Sequence, residues 1–359
     1  MKHRRHTSHV ARIAGALLIA IALAVFAANS AIAETAAPAV KTETVIGGLD
    51  NPMGVAIRSS GGDLFVSESG AGRVVRIKPG KDAKPEPAIS GFAVGQSPDL
   101  PDLRVGPLGL AFTVNDLLVV GSGGEGVGKD AVRIFKLPAD NKPLTIDNAA
   151  KSLTIKPGDG SKTGEGYFYG VASAPNIIFA ASRGDADAGW ISRSLSGKQP
   201  DMVLDLKPFI ESARLAHAAN PTALAVSKRG ELVVGQVGKL DKSPDSVLSF
   251  YNPSNGKLLL NLPTGLLDIV GLAYSPQSGL LYAVDLAWAD PKEGGLYRLD
   301  ATQTDNGLGV KAIKITPLDR ATALCFGPNN ALYVTTLGPA DAKSGSAKSG
   351  QLLKITGGL

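Results

Sequence analysis

Residues 51–79, NPMGVAIRSSGGDLFVSESGAGRVVRIKP, read as three short strands joined by two turns, and the same grammar returns five more times before the C-terminus. The later copies are GPLGLAF, LLVVG and AVRIFKLP; YFYGVAS, IIFAAS and WISRSL; NPTALAV, ELVVGQ and SVLSFYNP; DIVGLAY, LLYAVD and GLYRLD; and RATALCF, ALYVTT and QLLKIT. A fixed unit repeating at this scale specifies a solenoid or a propeller, because one unit cannot bury its own apolar faces. The equivalent positions Gly54, Gly109, Gly170, Ala223, Gly271 and Ala323 are 48 to 61 residues apart. That period is that of a four-stranded propeller blade with lengthened loops.

Each unit carries the same pattern. The first two strands are apolar on both faces, as in Val55, Ile57, Leu64, Phe65 and Val66, so neighbours cover both sides. The small residue at each equivalent position suits a crowded central channel. The third strand alternates, with Arg73, Arg76, Arg133 and Lys136 towards water. A fourth strand follows in five units: PAISGF, KSLTIK, DMVLDL, KLLLNL and VKAIKI. The sixth unit has none, and an unmatched strand, TETVIGG at residues 42–48, stands at the other end of the chain. The N-terminal strand is therefore expected to complete the last blade and close the ring, which removes open sheet edges. The expected fold is all-β, a six-bladed propeller of four-stranded antiparallel blades over residues 42–359. Residues 207–219, KPFIESARLAHAA, are the one helix-like stretch, and residues 338–350 form a small, polar insertion expected to be mobile.

Residues 1–33 combine a basic start (Lys2, Arg4, Arg5, Arg12), a small and apolar run, and Ala31-Ile32-Ala33 before Glu34. They are expected to be a cleaved signal peptide, with 34–41 a short linker and no membrane span in the mature chain, which would be periplasmic or extracellular. Removing the four basic leader residues from the chain's 37 leaves 33 against 32 acidic ones, a net charge of about +1. No basic excess remains for a nucleic-acid surface. Cys325 is the sole cysteine, so no intrachain disulfide forms, and it sits in a strand pattern as an inert thiol. Three of the four histidines leave with the leader, and only His217 survives.

The GxA-turn-LYV-loop-R-I units preceded by N-P or G-P resemble NHL-repeat propellers. More broadly they are similar to the six-bladed superfamily of gluconolactonase/senescence-marker-type enzymes and strictosidine-synthase-like proteins. The resemblance covers residues 42–356 and implies an architecture shared by binding proteins, lactonases and lyases. It also implies that a lactonase of this kind carries a glutamate before the first inner strand, where this chain has Asn51-Pro52-Met53-Gly54. Asp285, ending LLYAVD, is the one position that looks like a carried-over metal ligand, for a divalent cation such as calcium. A quinone-dependent sugar dehydrogenase shares the fold, but its histidine-and-arginine floor is matched only by His217.

Loops before the first strand and between the second and third strands share one face, and they carry most of the length variation. That face is the expected binding surface. Arg183, Asp185 and Asp285 stand at or just past second-strand ends, where rigid backbone aims them. Glu68, Arg104, His217 and Trp288 complete the candidates, with Tyr169, Gln236, Asp268 and Arg320 nearby. His217 alone is better read as a surface residue than as a general base. Residues 121–126 spell G-x-G-x-x-G and residues 123–130 nearly spell a P-loop, but a strand follows both where a helix is required. Residues 159–164 open like a calcium loop, yet position twelve is Gly170. No G-x-S-x-G elbow occurs. The first functional expectation is a monomeric, non-catalytic scaffold holding a small molecule, glycan or protein at the loop-rich face. The alternative is a divalent-metal-dependent lactonase of the gluconolactonase type.

Overall fold

The computed structural model of the protein describes residues 39–183, 189–218, 220–305, 307–338 and 348–359. The leader at 1–33, Asp185 and most of the insertion at 338–350 lie outside these residues.

Six blades of four antiparallel strands follow one another along the chain, and in blade 1 the two-residue strand Leu144–Thr145 adds a fifth, parallel, to the outer edge. Blade 1 runs Pro52–Ile57, Leu64–Glu68, Arg73–Ile77 and Pro85–Ser90. Blade 2 has Pro107–Phe112, Leu117–Ser122, Val132–Lys136 and Lys151–Leu153. Blade 3 has Phe168–Ala174, Ile177–Ser182, Trp190–Leu195 and Lys207–Glu211. Blade 4 comprises Pro221–Val226, Leu232–Gln236, Val247–Tyr251 and Leu258–Pro263. Blade 5 comprises Ile269–Tyr274, Leu281–Asp285, Gly295–Thr304 and Gly307–Pro317. Blade 6 takes Ala321–Phe326, Leu332–Thr336 and Gly350–Thr356, and its outer strand is Lys41–Leu49 from the N-terminus. That strand pairs antiparallel with the last one, from Lys41 opposite Thr356 to Leu49 opposite Gly350. Each innermost strand packs on the next, and the blade 6 strand packs on blade 1. The ring closes as the unmatched strands require.

The core lies between blades. Among the described residues, one apolar cluster fills each of the six blade-to-blade interfaces. In Leu117–Ser122, Leu117 and Val119 face blade 3 while Leu118 and Val120 face blade 1, all at 2% exposure or less. This is the physical origin of strands apolar on both faces. Phe65 and Phe112 meet edge-on at 5.3 Å across blades 1 and 2, and Tyr282 and Phe326 at 5.5 Å across blades 5 and 6. Cys325 packs against the cluster between blades 6 and 1, and burial pushes its thiol up to about 12.

Sterics explain the small residue near the start of each innermost strand. A Cβ on Gly54 would sit 2.2 Å from the Leu108 carbonyl oxygen. One on Gly170 would sit 2.4 Å from that of Thr222. Inner strands approach too closely there for a larger residue.

Two expectations fail in blade 3. Residues 201–206 are not its fourth strand: Pro200–Met202 form a single 3-10 turn, although Val203 and Leu206 remain buried. Lys207–Glu211, expected to be helical, supplies that strand instead, with Trp190 opposite Glu211 and Arg193 opposite Lys207. Only Ser212–Ala216 forms a helical turn. The backbone of Trp190–Leu195 needs a partner, and Ile210 gains complete burial by pairing, so tertiary demand overrides local helix preference. Among the described residues no helix is long and apolar enough to cross a membrane.

Candidate functional site at the channel mouth

The innermost strand of every blade carries an irregularity at the same place. Pairing with the second strand skips between Pro52 and Gly54, Phe168 and Gly170, Pro221 and Ala223, Ile269 and Gly271, and Ala321 and Ala323. In blade 2 it skips from Pro107 to Leu110. A bulge leaves one residue unpaired and re-aims its side chain. The residues so released, Met53, Tyr169, Thr222, Val270 and Thr322, all line one cavity at the channel mouth, and Leu108 packs beside them. Asn51, Tyr167, Asn220 and Arg320, which immediately precede four of these strands, take left-handed backbone with φ between 46° and 59°. Such geometry is costly for residues other than glycine and concentrates where a binding surface is shaped.

The centre of a water-sized sphere can move through about 70 Å³ of this cavity. That is several times the ~10–15 Å³ one water needs on the same measure, so a compact organic molecule fits. Leu100, Leu103, Leu240 and Leu286 add apolar wall. The polar groups come from several blades. Arg183, just past the second strand of blade 3, forms a two-pronged ion pair with Asp99, Nη2 to Oδ1 being 2.6 Å. Asp99 rides on a loop between the two-residue strands Gly95–Gln96 and Arg104–Val105. Tyr169 bonds to Ser97 on the same loop, and burial pushes its phenol up to about 12. Thr222 and Thr322 donate their hydroxyls to the carbonyls of Ile269 and Pro52 at 2.7 Å, which leaves lone pairs on Thr222 Oγ1, while Thr322 Oγ1 is also bonded to Thr335 Oγ1 at 2.9 Å. Asn220 Oδ1 is buried and has no hydrogen-bond partner.

The other predicted residues are not brought to this cavity. Asp285 is 1% exposed, and its carboxylate accepts the backbone N–H groups of Leu267 (2.9 Å), Asp268 (2.7 Å) and Ala287 (3.1 Å). Glu68, equally buried, accepts Asp50 N–H and pairs with Arg73. Arg104 is on the rim, paired with Asp50 at 2.8 Å. Trp288 stands under the Arg320 guanidinium, 5.4 Å from its ring centre. His217 is exposed and ends the short helix in left-handed backbone. Asp99, Asn220, Thr222, Thr322 and Met53 were not singled out by sequence. The repeated N-P before Met53 and Thr222 was their one visible signal.

Buried carboxylates on this face act as loop anchors. Asp130 accepts the N–H groups of Glu125, Gly126 and Tyr167, and so shapes the glycine-rich loop that mimics a phosphate-binding motif. Burial raises its pKa to about 6 despite those bonds. Glu165 accepts the hydroxyls of Ser161 and Ser182. Asp268 accepts only Trp288 N–H at 2.8 Å, its Oδ1 has no partner, and burial, then the nearby Asp285, raises it to about 6.

Neither cofactor implied by propellers of this kind fits the described residues. No group of three or more His, Cys, Asp or Glu among them could hold a metal ion. The one carboxylate lining the cavity is committed to Arg183, and Asp285 has both oxygens on backbone N–H groups. Calcium needs six to eight converging oxygens. A tricarboxylate quinone needs several free cations, whereas Arg183 is the one cation lining the cavity and already has a partner.

No protein-family profile matches the chain, and no curated protein matches it. Many solved structures share its fold. Aldose sugar dehydrogenase from Streptomyces coelicolor, in its PQQ-bound form, matches with a TM-score of 0.57 at 16% identity over 90% of this chain and 99% of that one. Soluble aldose sugar dehydrogenase from Escherichia coli gives 0.58 at 14% over 89% and 99%. A gluconolactonase from Xanthomonas campestris gives 0.56 at 15% over 89% of each chain. At such identities the likeness shows the fold: this chain is a six-bladed propeller of the architecture found in gluconolactonases and sugar dehydrogenases.

Proposed function

We propose that the channel mouth binds a small, sugar-derived molecule, with the Arg183–Asp99 pair at its polar end and the bulge residues against its body. The observation that carries this is the cavity itself, into which five blades aim one released side chain each. Its apolar wall with a few convergent polar groups is the usual make-up of a small-molecule site. Its size favours a compact ligand over a glycan chain or a protein segment. The neighbours named as aldose dehydrogenases and a gluconolactonase supply the ligand class. The leader supports export, and the closed ring supports a monomer.

Lactone hydrolysis is the second reading, favoured by the gluconolactonase likeness. Arg183 is placed to draw charge from a ligand carbonyl, and Asp99 to accept from its hydroxyls. Among the described residues no group of three or more His, Cys, Asp or Glu could hold a metal ion, which supports a metal-free form of this reading. A panel of glucose, gluconate and glucono-1,5-lactone, scored by thermal shift and by lactone turnover with and without chelator, tests both readings. The expected result is stabilisation by at least one compound, lost in Arg183→Gln. No shift with any compound contradicts the site, and chelator-sensitive turnover contradicts the metal-free reading.

A further inference from the structure

We propose that Asp99 occupies the seat of a ligand carboxylate on Arg183, so that the cavity takes a small organic acid in preference to its neutral counterpart. The proposal rests on the small-molecule reading of the channel mouth and deepens it. Among the described residues, Arg183 and Asp99 are the only charged ones lining the cavity. Their two-pronged geometry is the one a guanidinium offers to any carboxylate.

The two partners differ in how they are held. Arg183 directly follows Ile177–Ser182, a strand whose last four residues are all 0% exposed, and its own side chain is 15% exposed. Asp99 is 28% exposed and sits on a loop whose hydrogen bonds are largely internal. Ser97 N–H bonds to the Leu103 carbonyl, Leu103 N–H to that of Leu100, and Leu100 N–H to Ser97 Oγ. None of these bonds involves the Asp99 side chain, so it can leave Arg183 without breaking them. When a charged ligand arrives, the loop carboxylate yields and the strand-borne arginine stays.

Electrostatics sets the ligand's sign. An unpaired charge in an apolar cavity is strongly disfavoured, and exchanging one carboxylate for another leaves Arg183 neutralised throughout. A cation would have to displace Arg183 from a rigid strand end. A neutral sugar gains no exchange at all. An entering acid also finds the Asn220 Oδ1 and Thr222 Oγ1 acceptors for its hydroxyls.

Calorimetric titration of the mature chain with gluconate and with glucose, at one ionic strength, tests the exchange. Wild type should bind gluconate about tenfold more tightly than glucose, as expected for a charge-assisted pair. Asp99→Asn removes the internal competitor, so it should tighten gluconate severalfold and widen its margin over glucose. Arg183→Gln should abolish the preference for gluconate. If Asp99→Asn fails to fold, Asp99→Ser is read the same way. Weaker gluconate binding in the Asp99 variant, or equal affinity for both compounds in wild type, overturns this inference while leaving the site intact. Binding of neither compound overturns the site as well.

Discussion

Asp285 and Asp99 both belong to the loop-rich face, and they do opposite work. Asp285 ends a rigid strand, is 1% exposed, and gives its whole carboxylate to three backbone N–H groups. Asp99 rides on a loop, is 28% exposed on its side chain, and meets one arginine at the edge of a cavity. The strand-end carboxylates Asp285 and Glu68 hold the entry loops in place, whereas the excursion at residues 97–103 brings charge to the cavity. A strand end is therefore a good address for rigidity and a poor one for exchangeable chemistry. The bulge repeats in all six blades, and in five of them it turns one side chain of the rigid frame towards the channel-mouth cavity.

The comparison breaks most readily at Asp285. Asp285→Ala strands three buried N–H groups, and each such group costs about 1–3 kcal/mol, so a loss of at least about 3 kcal/mol in chemical denaturation is expected. Asp99→Ser leaves the Arg183 guanidinium without its partner but still reached by water at 15% exposure, so it should cost clearly less than Asp285→Ala. A loss below about 1 kcal/mol for Asp285→Ala would show that the anchors do not anchor.

Asp268 sharpens the same distinction, because it is buried like an anchor but holds one N–H and leaves Oδ1 alone. Its folded pKa of about 6 lies above the ordinary aspartate value, so between about pH 4 and 6 the folded state binds more protons than the unfolded one. Its contribution to stability is present at low pH and is lost as pH rises through 6. Asp268→Asn keeps an oxygen for Trp288 and removes the charge. The variant should be more stable than wild type by about 1 kcal/mol at pH 7, with the advantage gone below about pH 4. An advantage independent of pH would assign it to something other than ionisation. The smallest effect is expected at His217. His217→Asn, which tolerates the left-handed backbone, should change stability by less than about 0.5 kcal/mol and leave ligand binding unaltered.

The ring was legible because its causes are local and repeated. Gly54, Gly109 and Gly170 mark the crowded channel, and the unmatched strands at 42–48 and 350–356 require each other. Blade 3 was misread at residues 201–211 because Lys207–Glu211 has helix-forming neighbours, while the strand it joins lies earlier in the chain. Arg183 was legible from its place after a strand. Asp99 was not, since nothing in the sequence of its loop, which lies between blades 1 and 2, shows that it reaches Arg183 in blade 3. The bulge residues were hidden for a related reason. A period-two pattern assigns side chains to faces only while the register is regular, and here it slips at the residue that matters.

The most direct test of the central claim is to fill the cavity from its wall without touching a polar group. Val270 is a bulge residue of blade 5 that lines it. Val270→Phe should keep the fold, at a cost of about 1–3 kcal/mol for overpacking, and should weaken binding of the sugar-derived ligand at least about tenfold in calorimetry. Unchanged affinity in a folded Val270→Phe protein would place the ligand elsewhere and contradict the assignment of the channel mouth.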